Sequence, residues 1–198
     1  MSGPSAGGDL FAAAEQRHSL FFALLPDDAT VAAITRARQA LEGGLPPQRG
    51  AGTPDARLHL TLHWLGEWSQ LPEATVAAAR RAADGVALQR FNLVLDRADC
   101  FGRGEVVWVL RPSVPAEGMR VLHHELAAAL ARQRLRLPAA PAFAPHLTLR
   151  RRASARFAAR PVPALAWPVH GFALVHSRHG GEGTTYHLLG QWSLAART

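Results

Sequence analysis

Cysteine is almost missing from this chain. The single Cys100 among 198 residues excludes an internal disulfide and fits a reducing, cytoplasmic setting. Long apolar runs are missing as well. No segment approaches the roughly 18 residues of a membrane span, so no membrane partner is expected. Lysine is absent: all 22 basic residues are arginine, against 15 acidic ones. The first 17 residues, MSGPSAGGDLFAAAEQR, lack the basic start and long apolar stretch of a signal peptide. They read as a disordered tail over 1–17, ahead of one domain over 18–198.

An apolar fraction of 48% is ample for a core, and the length suits one domain or one domain with two lobes. The net charge of +7, carried by arginine, predisposes the protein towards anionic partners such as RNA, because guanidinium groups suit bidentate phosphate contacts. A genome of biased base composition accounts equally well for a chain rich in Ala, Arg, Gly and Pro. Charge therefore supports an anionic partner without establishing one.

What stands out is a repeat. His59-Leu60-Thr61-Leu62 recurs as His146-Leu147-Thr148-Leu149, 87 residues later. Random order would give only about 0.01 of such a tetrapeptide, so two copies call for a cause. In a strand, alternate side chains share a face. His59 and Thr61 then face one way and Leu60 and Leu62 the other, and the second copy repeats this. Each copy offers an imidazole, which can carry a proton near neutral pH, and a hydroxyl, which can donate to a phosphate oxygen. Two matched histidines can remove a proton on one side of a reacting group and deliver one on the other.

The remaining pattern places these motifs. Ser19 to Leu25 reads as a buried strand stopped by Pro26, with Asp27 and Asp28 offering an N-cap to a helix over 31–41 that ends at Gly43-Gly44. Residues 44–56 read as a loop. Arg57 to Leu65 reads as the first motif strand, closed by Gly66. A second helix opens at Ser69 and Pro72 and runs to about Gly85. Residues 91–95 and 106–110 read as a strand pair. A third helix starts at Pro115, with Met119, Leu122, Leu126 and Leu130 on one stripe and with His123 and His124 as surface residues on its flank. Pro145 to Arg150 reads as the second motif strand, residues 151–167 as a loop, and 169–176 with 184–194 as a hairpin around Gly180–Gly183. Strands and helices thus alternate in two halves, each holding one motif.

At this point the chain resembles the two-histidine (2H) phosphoesterases, and within them the bacterial RNA 2′,3′-cyclic phosphodiesterases, also called LigT or 2′-5′ RNA ligases. The likeness is carried by Leu20-Phe21-Phe22-Ala23-Leu24, by Leu58 to Glu67 (LHLTLHWLGE), by Phe143 to Leu149 (FAPHLTL) and by the late Ser177 and Tyr186. It spans about 18–194. The resemblance implies an α+β, bilobal fold. Two antiparallel-sheet lobes are related by a pseudo-twofold axis, with helices on the outer faces and a cleft between. It also implies no metal and no cofactor, His59 as proton donor and His146 as proton acceptor. Thr61 and Thr148 would hold the phosphate, and RNA with 2′,3′-cyclic phosphate ends would be the partner of a monomeric protein. Where the family often has Ala-Arg after the second motif, this chain has Arg150, Arg151 and Arg152. The family pattern points to Arg151 as the phosphate cation. Strand alternation instead puts Arg150 on the face of His146 and Thr148, unless the strand ends or bulges there. His63 shares the face of His59 and Thr61 by the same alternation.

The implied reaction opens a strained five-membered diester: neutral His146 takes a proton from water, and protonated His59 gives one to the departing 3′ oxygen, leaving a 2′-phosphate. With a 5′-hydroxyl RNA end in place of water, the same site would form a 2′-5′ linkage. Three other readings compete. One is an RNA-binding module without chemistry. Another is a cyclic phosphodiesterase acting on a small nucleotide. The third is a metallohydrolase built on His59 and His63, a spacing that suits a metal on a helix rather than on a strand.

Overall fold

The computed structural model describes residues 16–48, 52–139, 142–181 and 183–196. Among these residues eight strands and three helices follow one another as β1 (Arg17–Leu24), α1 (Asp28–Gly43), β2 (Leu60–Trp68), α2 (Glu73–Asp84), β3 (Phe91–Phe101), β4 (Val107–Arg111), α3 (Glu117–Arg132), β5 (Leu147–Arg150), β6 (Arg160–Val169), β7 (Gly171–Gly180) and β8 (Gly183–Ser193). The strands lie in the order β6-β3-β4-β5-β2-β1-β7-β8, and every neighbouring pair is antiparallel. In the middle, β5 and β2 touch through one register pair, Leu60 with Leu147. The sheet is therefore two four-stranded halves hinged where the two motif copies meet.

The halves repeat one unit. In each, a strand, a helix and the motif strand succeed one another, β1-α1-β2 in the first and β4-α3-β5 in the second, and the two strands of each unit pair. The leucines of both motifs, Leu60, Leu62, Leu147 and Leu149, are at most 3% exposed and join Leu20, Phe22, Ile34 and the α3 stripe in one core. Each such side chain contributes roughly 1.5–3 kcal/mol by leaving water. Asp27 caps α1 as its position suggested, accepting from the Thr30 backbone N–H at 2.8 Å.

Several boundaries differ from expectation. Arg17, placed in the tail by sequence, opens β1; residues 1–15 lie outside those described. Arg57 closes a short 3-10 turn (Asp55–Arg57), so the first motif strand starts at Leu60, and β5 likewise starts at Leu147. Gly66 does not end β2. At φ +142° it sits within the strand, and a Cβ there would fall 2.7 Å from the Trp68 ring, so glycine makes room for that indole. The stretch 151–167, which reads as a loop, contains most of β6. Its prolines hid it, yet β6 is the outermost strand and pairs only with β3, and an edge strand tolerates a missing N–H. The turn residue Glu182 lies outside the described residues.

Candidate functional site

His59 and His146 each stand one residue ahead of their strand, and each is anchored in the same way. The Nδ1 of His59 donates to the Arg57 carbonyl at 2.8 Å, and the Nδ1 of His146 donates to the Ala144 carbonyl at 2.8 Å. A carbonyl only accepts, so Nδ1 carries the hydrogen in both rings. In the neutral imidazole the lone pair then falls on Nε2. Each histidine is thereby oriented as a base through Nε2 when neutral and as an acid through Nε2 when protonated.

Beside His59 lies a pocket of about 140 Å³, whose lining includes Arg57, Thr148, Arg151, Tyr186 and the segment Gly52–Pro54. It thus takes residues from both halves. The ring of Phe21 packs 4.9 Å from that of His59, and Tyr186 presents itself edge-on at 5.5 Å; Phe101 stands edge-on to His146 at 4.9 Å. Thr61 and Thr148 are both half-buried. The 52–57 rim is held from two sides. The Thr53 N–H donates to the Leu149 carbonyl at 2.7 Å, and Arg38 on α1 donates to the Thr53 carbonyl at 2.6 Å.

The backbone of both motif strands carries a bulge at the same place. Thr148 pairs with Val109 but Arg150 pairs with Trp108, so Leu149 is an extra residue. In β2, Thr61 pairs with Ala23 and His63 with Phe22, so Leu62 is the extra one. Because side chains alternate with period two, one extra residue reverses the phase beyond it. The fourth position after each histidine is turned into the protein and the fifth comes back towards the cleft.

The two arginines separate on this rule. Arg150, in the fourth position, is buried: its Nη2 donates to Glu42 on α1 at 2.7 Å, and its guanidinium lies 5.9 Å from the centre of the Trp108 ring. Arg151, in the fifth, is exposed and lines the pocket. His63, the fourth position in the first copy, does not join His59. Its Nε2 donates to the His123 carbonyl on α3 at 2.8 Å, and its ring stacks on that of His123 at 4.0 Å. His59 and His63 therefore do not converge on one point, as a metal pair would. His123 in turn stacks on Phe143 at 3.9 Å, so it is a packed residue rather than a surface one, whereas His124 is exposed.

Electrostatics shift both imidazoles in the same direction. Burial holds the His59 imidazole below the ordinary histidine range, with Arg151 and His146 adding to the effect and the Arg57 carbonyl opposing it. Burial lowers His146 in the same way, again with help from Arg151 and against the Ala144 carbonyl. Arg151 is thus close enough to bear on both rings. Tyr186 is pushed up by burial, while Arg57 and Arg151 pull the other way.

Sequence reasoning passed over Arg57, Phe21 and Phe101, and gave Tyr186 a structural role by default. Phe21 could have been found from the alternation within SLFFALL, and Arg57 from its place two residues ahead of a motif histidine. Ser177 is buried and bonds His179 at 3.0 Å, away from the pocket lining.

Residues 26–181 match the family described as the 2′-5′ RNA ligase superfamily. The chain is 34% identical to an RNA 2′,3′-cyclic phosphodiesterase of Thermus thermophilus over 88% of this chain and 89% of that one. It is also 34% identical to the Escherichia coli protein of the same name, over 75% of this chain and 82% of that one. Among solved structures, apo E. coli LigT superposes with a TM-score of 0.74 at 29% identity, covering 91% of this chain and 99% of LigT. Among the described residues, no helix is long and apolar enough to cross a membrane.

Proposed function

The chain belongs to the 2′-5′ RNA ligase superfamily, and from that premise we propose that it hydrolyses RNA 2′,3′-cyclic phosphodiester ends to 2′-phosphomonoesters by two-histidine acid–base catalysis that needs no metal. The observation that carries this reading is the identical anchoring of the two histidines. Both Nδ1 atoms are committed to a backbone carbonyl two residues upstream, so both Nε2 atoms are left for chemistry. The names of the Thermus and E. coli relatives supply the substrate class.

Water enters in line with the P–O3′ bond. Neutral His146 accepts its proton at Nε2 as the new P–O bond forms. Protonated His59 delivers its proton to O3′ as that bond breaks, and the phosphate stays on O2′. Thr61, Thr148 and Arg151 hold the nonbridging oxygens while charge builds on them. Arg150, with Glu42, supports the strand from behind rather than touching phosphate. With a 5′-hydroxyl RNA end as the nucleophile in place of water, the same step forms a P–O5′ bond as the P–O3′ bond breaks and leaves a 2′-5′ linkage, which is the ligase activity of this reading. A monomer working in the cytoplasm completes the proposal.

The test uses a short RNA ending in a 2′,3′-cyclic phosphate, in strong chelator, with wild type, His59→Ala and His146→Ala compared. A 2′-phosphate formed by wild type alone is expected. No product from any of the three, with RNA binding retained, would overturn the reading in favour of a binding module.

A further inference from the structure

Arg57 stands two residues ahead of His59, as Ala144 stands two ahead of His146, and both backbone carbonyls anchor their histidine. The anchors match and the side chains do not. One half puts a guanidinium at this place, the other a methyl group. That guanidinium lines the pocket of about 140 Å³ beside His59, facing Arg151 from the other half. Arg57 is half-buried, and among the described residues its side chain makes no hydrogen bond or ion pair. The carboxylate closest to it along the chain is engaged elsewhere. Asp55 accepts from the Thr35 hydroxyl at 3.2 Å and pairs with Arg38 at 3.6 Å. A guanidinium donates and never accepts, so the partner that Arg57 lacks is an anion.

Arg57 and Arg151 are placed for different anions. Arg151 is among the charges that lower both imidazoles, whereas Arg57 acts on the Tyr186 hydroxyl and is among the charges on neither imidazole. In the reaction above the phosphorus sits between the two imidazoles. Arg151 is therefore set for the reacting phosphate, and Arg57 is set to one side of it, past His59. The chemistry says what lies on that side. His146 faces the attacking water and His59 faces the departing O3′, so the ribose is on the His59 side. Through its 5′ carbon the same ribose carries the phosphodiester that joins it to the preceding nucleotide.

Resting on the cyclic phosphodiesterase reading above, we propose that Arg57 binds the phosphodiester on the 5′ side of the terminal ribose, forming a second phosphate subsite that distinguishes an RNA end from a free nucleoside 2′,3′-cyclic phosphate. The guanidinium fork matches the two nonbridging oxygens of such a diester. Held at its 5′ phosphate as well as at its cyclic phosphate, the ribose keeps O3′ in front of His59.

The experiment measures kcat/KM on one nucleoside 2′,3′-cyclic phosphate in two forms. One has a free 5′-hydroxyl; the other carries a 5′-methyl phosphate diester, which adds the phosphate without a second base. Wild type is compared with Arg57→Gln, Arg57→Lys and Arg151→Ala. Wild type is expected to favour the 5′-phosphorylated form about tenfold, the lower end for hydrogen bonds to a charged group. Arg57→Gln should remove most of that preference. Arg57→Lys, which keeps the charge but not the fork, should keep part of it. Arg151→Ala should lower both forms by the same factor and leave the preference intact. Equal losses on both forms in Arg57→Gln would overturn the inference and make Arg57 a contact to the cyclic phosphate or a prop for the His59 anchor. A wild type without preference would overturn it too, as would a preference that survives in Arg57→Gln and vanishes in Arg151→Ala. Should Arg57→Gln fail to fold, Arg57→Met, which keeps an unbranched stem, takes its place in each comparison. In all these outcomes wild type still opens the cyclic phosphate, so the underlying reading stands; no turnover of either form by wild type removes that reading and this inference together.

Discussion

The two copies of the His-Leu-Thr-Leu segment share an anchored histidine, a half-buried threonine and a bulge at the second leucine, yet the bulge returns Trp64 to the cleft in one copy and Arg151 in the other. The buried fourth positions differ too, and reciprocally. His63 of the first motif strand bonds α3, the helix of the second half's unit, while Arg150 of the second motif strand bonds α1, the helix of the first. The backbone is symmetric and the side chains it presents are not. Twofold scaffolding supplies two identically anchored imidazoles, and the lack of symmetry just beyond them sets an exposed arginine on one side and an exposed indole on the other. The rings around the histidines differ in the same sense: Phe21 and Tyr186 enclose His59, while Phe101 stands beside His146.

The largest expected effect tests the equivalence itself. His59→Ala and His146→Ala should each lower kcat on a cyclic-phosphate RNA by about 10²–10⁴-fold, the range for one positioned acid or base. The double variant should fall little further, because groups acting in one step are not additive. A double variant that loses the product of the two single losses would mean that the histidines act independently.

Next comes the contrast between neighbouring arginines. Arg151→Ala should lower kcat/KM about 10²-fold, as expected for removing one contact to a developing oxyanion, with the melting temperature unchanged. Arg150→Ala should do the reverse: the lost bond to Glu42 costs stability on the order of 1–3 kcal/mol, while kcat changes little. Thermal melts and kinetics on both proteins check this, and a reversal of the two patterns would contradict the bulge argument.

Smaller effects are expected at the threonines. Thr61→Val and Thr148→Val keep the shape and delete the hydroxyl, and each should cost about tenfold in kcat/KM, the lower end for a hydrogen bond to a charged group. Similar losses would extend the symmetry to the phosphate contacts; a loss at Thr148 alone would limit it, since Thr148 lines the small pocket and Thr61 does not.

The gentlest probe is pH. Both motif histidines are held below the ordinary value of 6.5, so the bell in kcat/KM should centre on the acid side of that value. A bound phosphate favours the charged imidazole, so the profile of kcat should lie to the alkaline side of the profile of kcat/KM. Stability follows the same sign. Burial also lowers His63, and burial with the neighbouring His63 and His124 lowers His123 to about 4. The folded state therefore binds fewer protons than the unfolded chain between about pH 6.5 and 4, and stability falls as pH falls through that window. His123→Phe, which keeps the stack without a titrating ring, should flatten part of that decline in melting temperature.

Much of this arrangement is legible along the chain. The buried strand after Ser19, the Asp27 cap, the apolar stripe of α3 and the two His-x-Thr segments all rest on periods and caps within a few residues of one another. Other features were not. β6 read as a loop because Pro161 and Pro163 speak against a strand unless it lies at an edge, and only the assembled order puts β6 there. His123 read as exposed because its helix position gives no sign of the β2 residue that comes to lie on it.

The sequence by itself determined that there are two imidazoles, each paired with a hydroxyl two residues on, because alternation along a strand is a local property. The tertiary structure alone decided that the two imidazoles come close enough to bear on one another, and that Arg151 rather than Arg150 lines the pocket beside His59. The reason is register. A bulge exists only relative to a partner strand, here β1 and β4, and one extra residue against that partner reverses every side chain that follows.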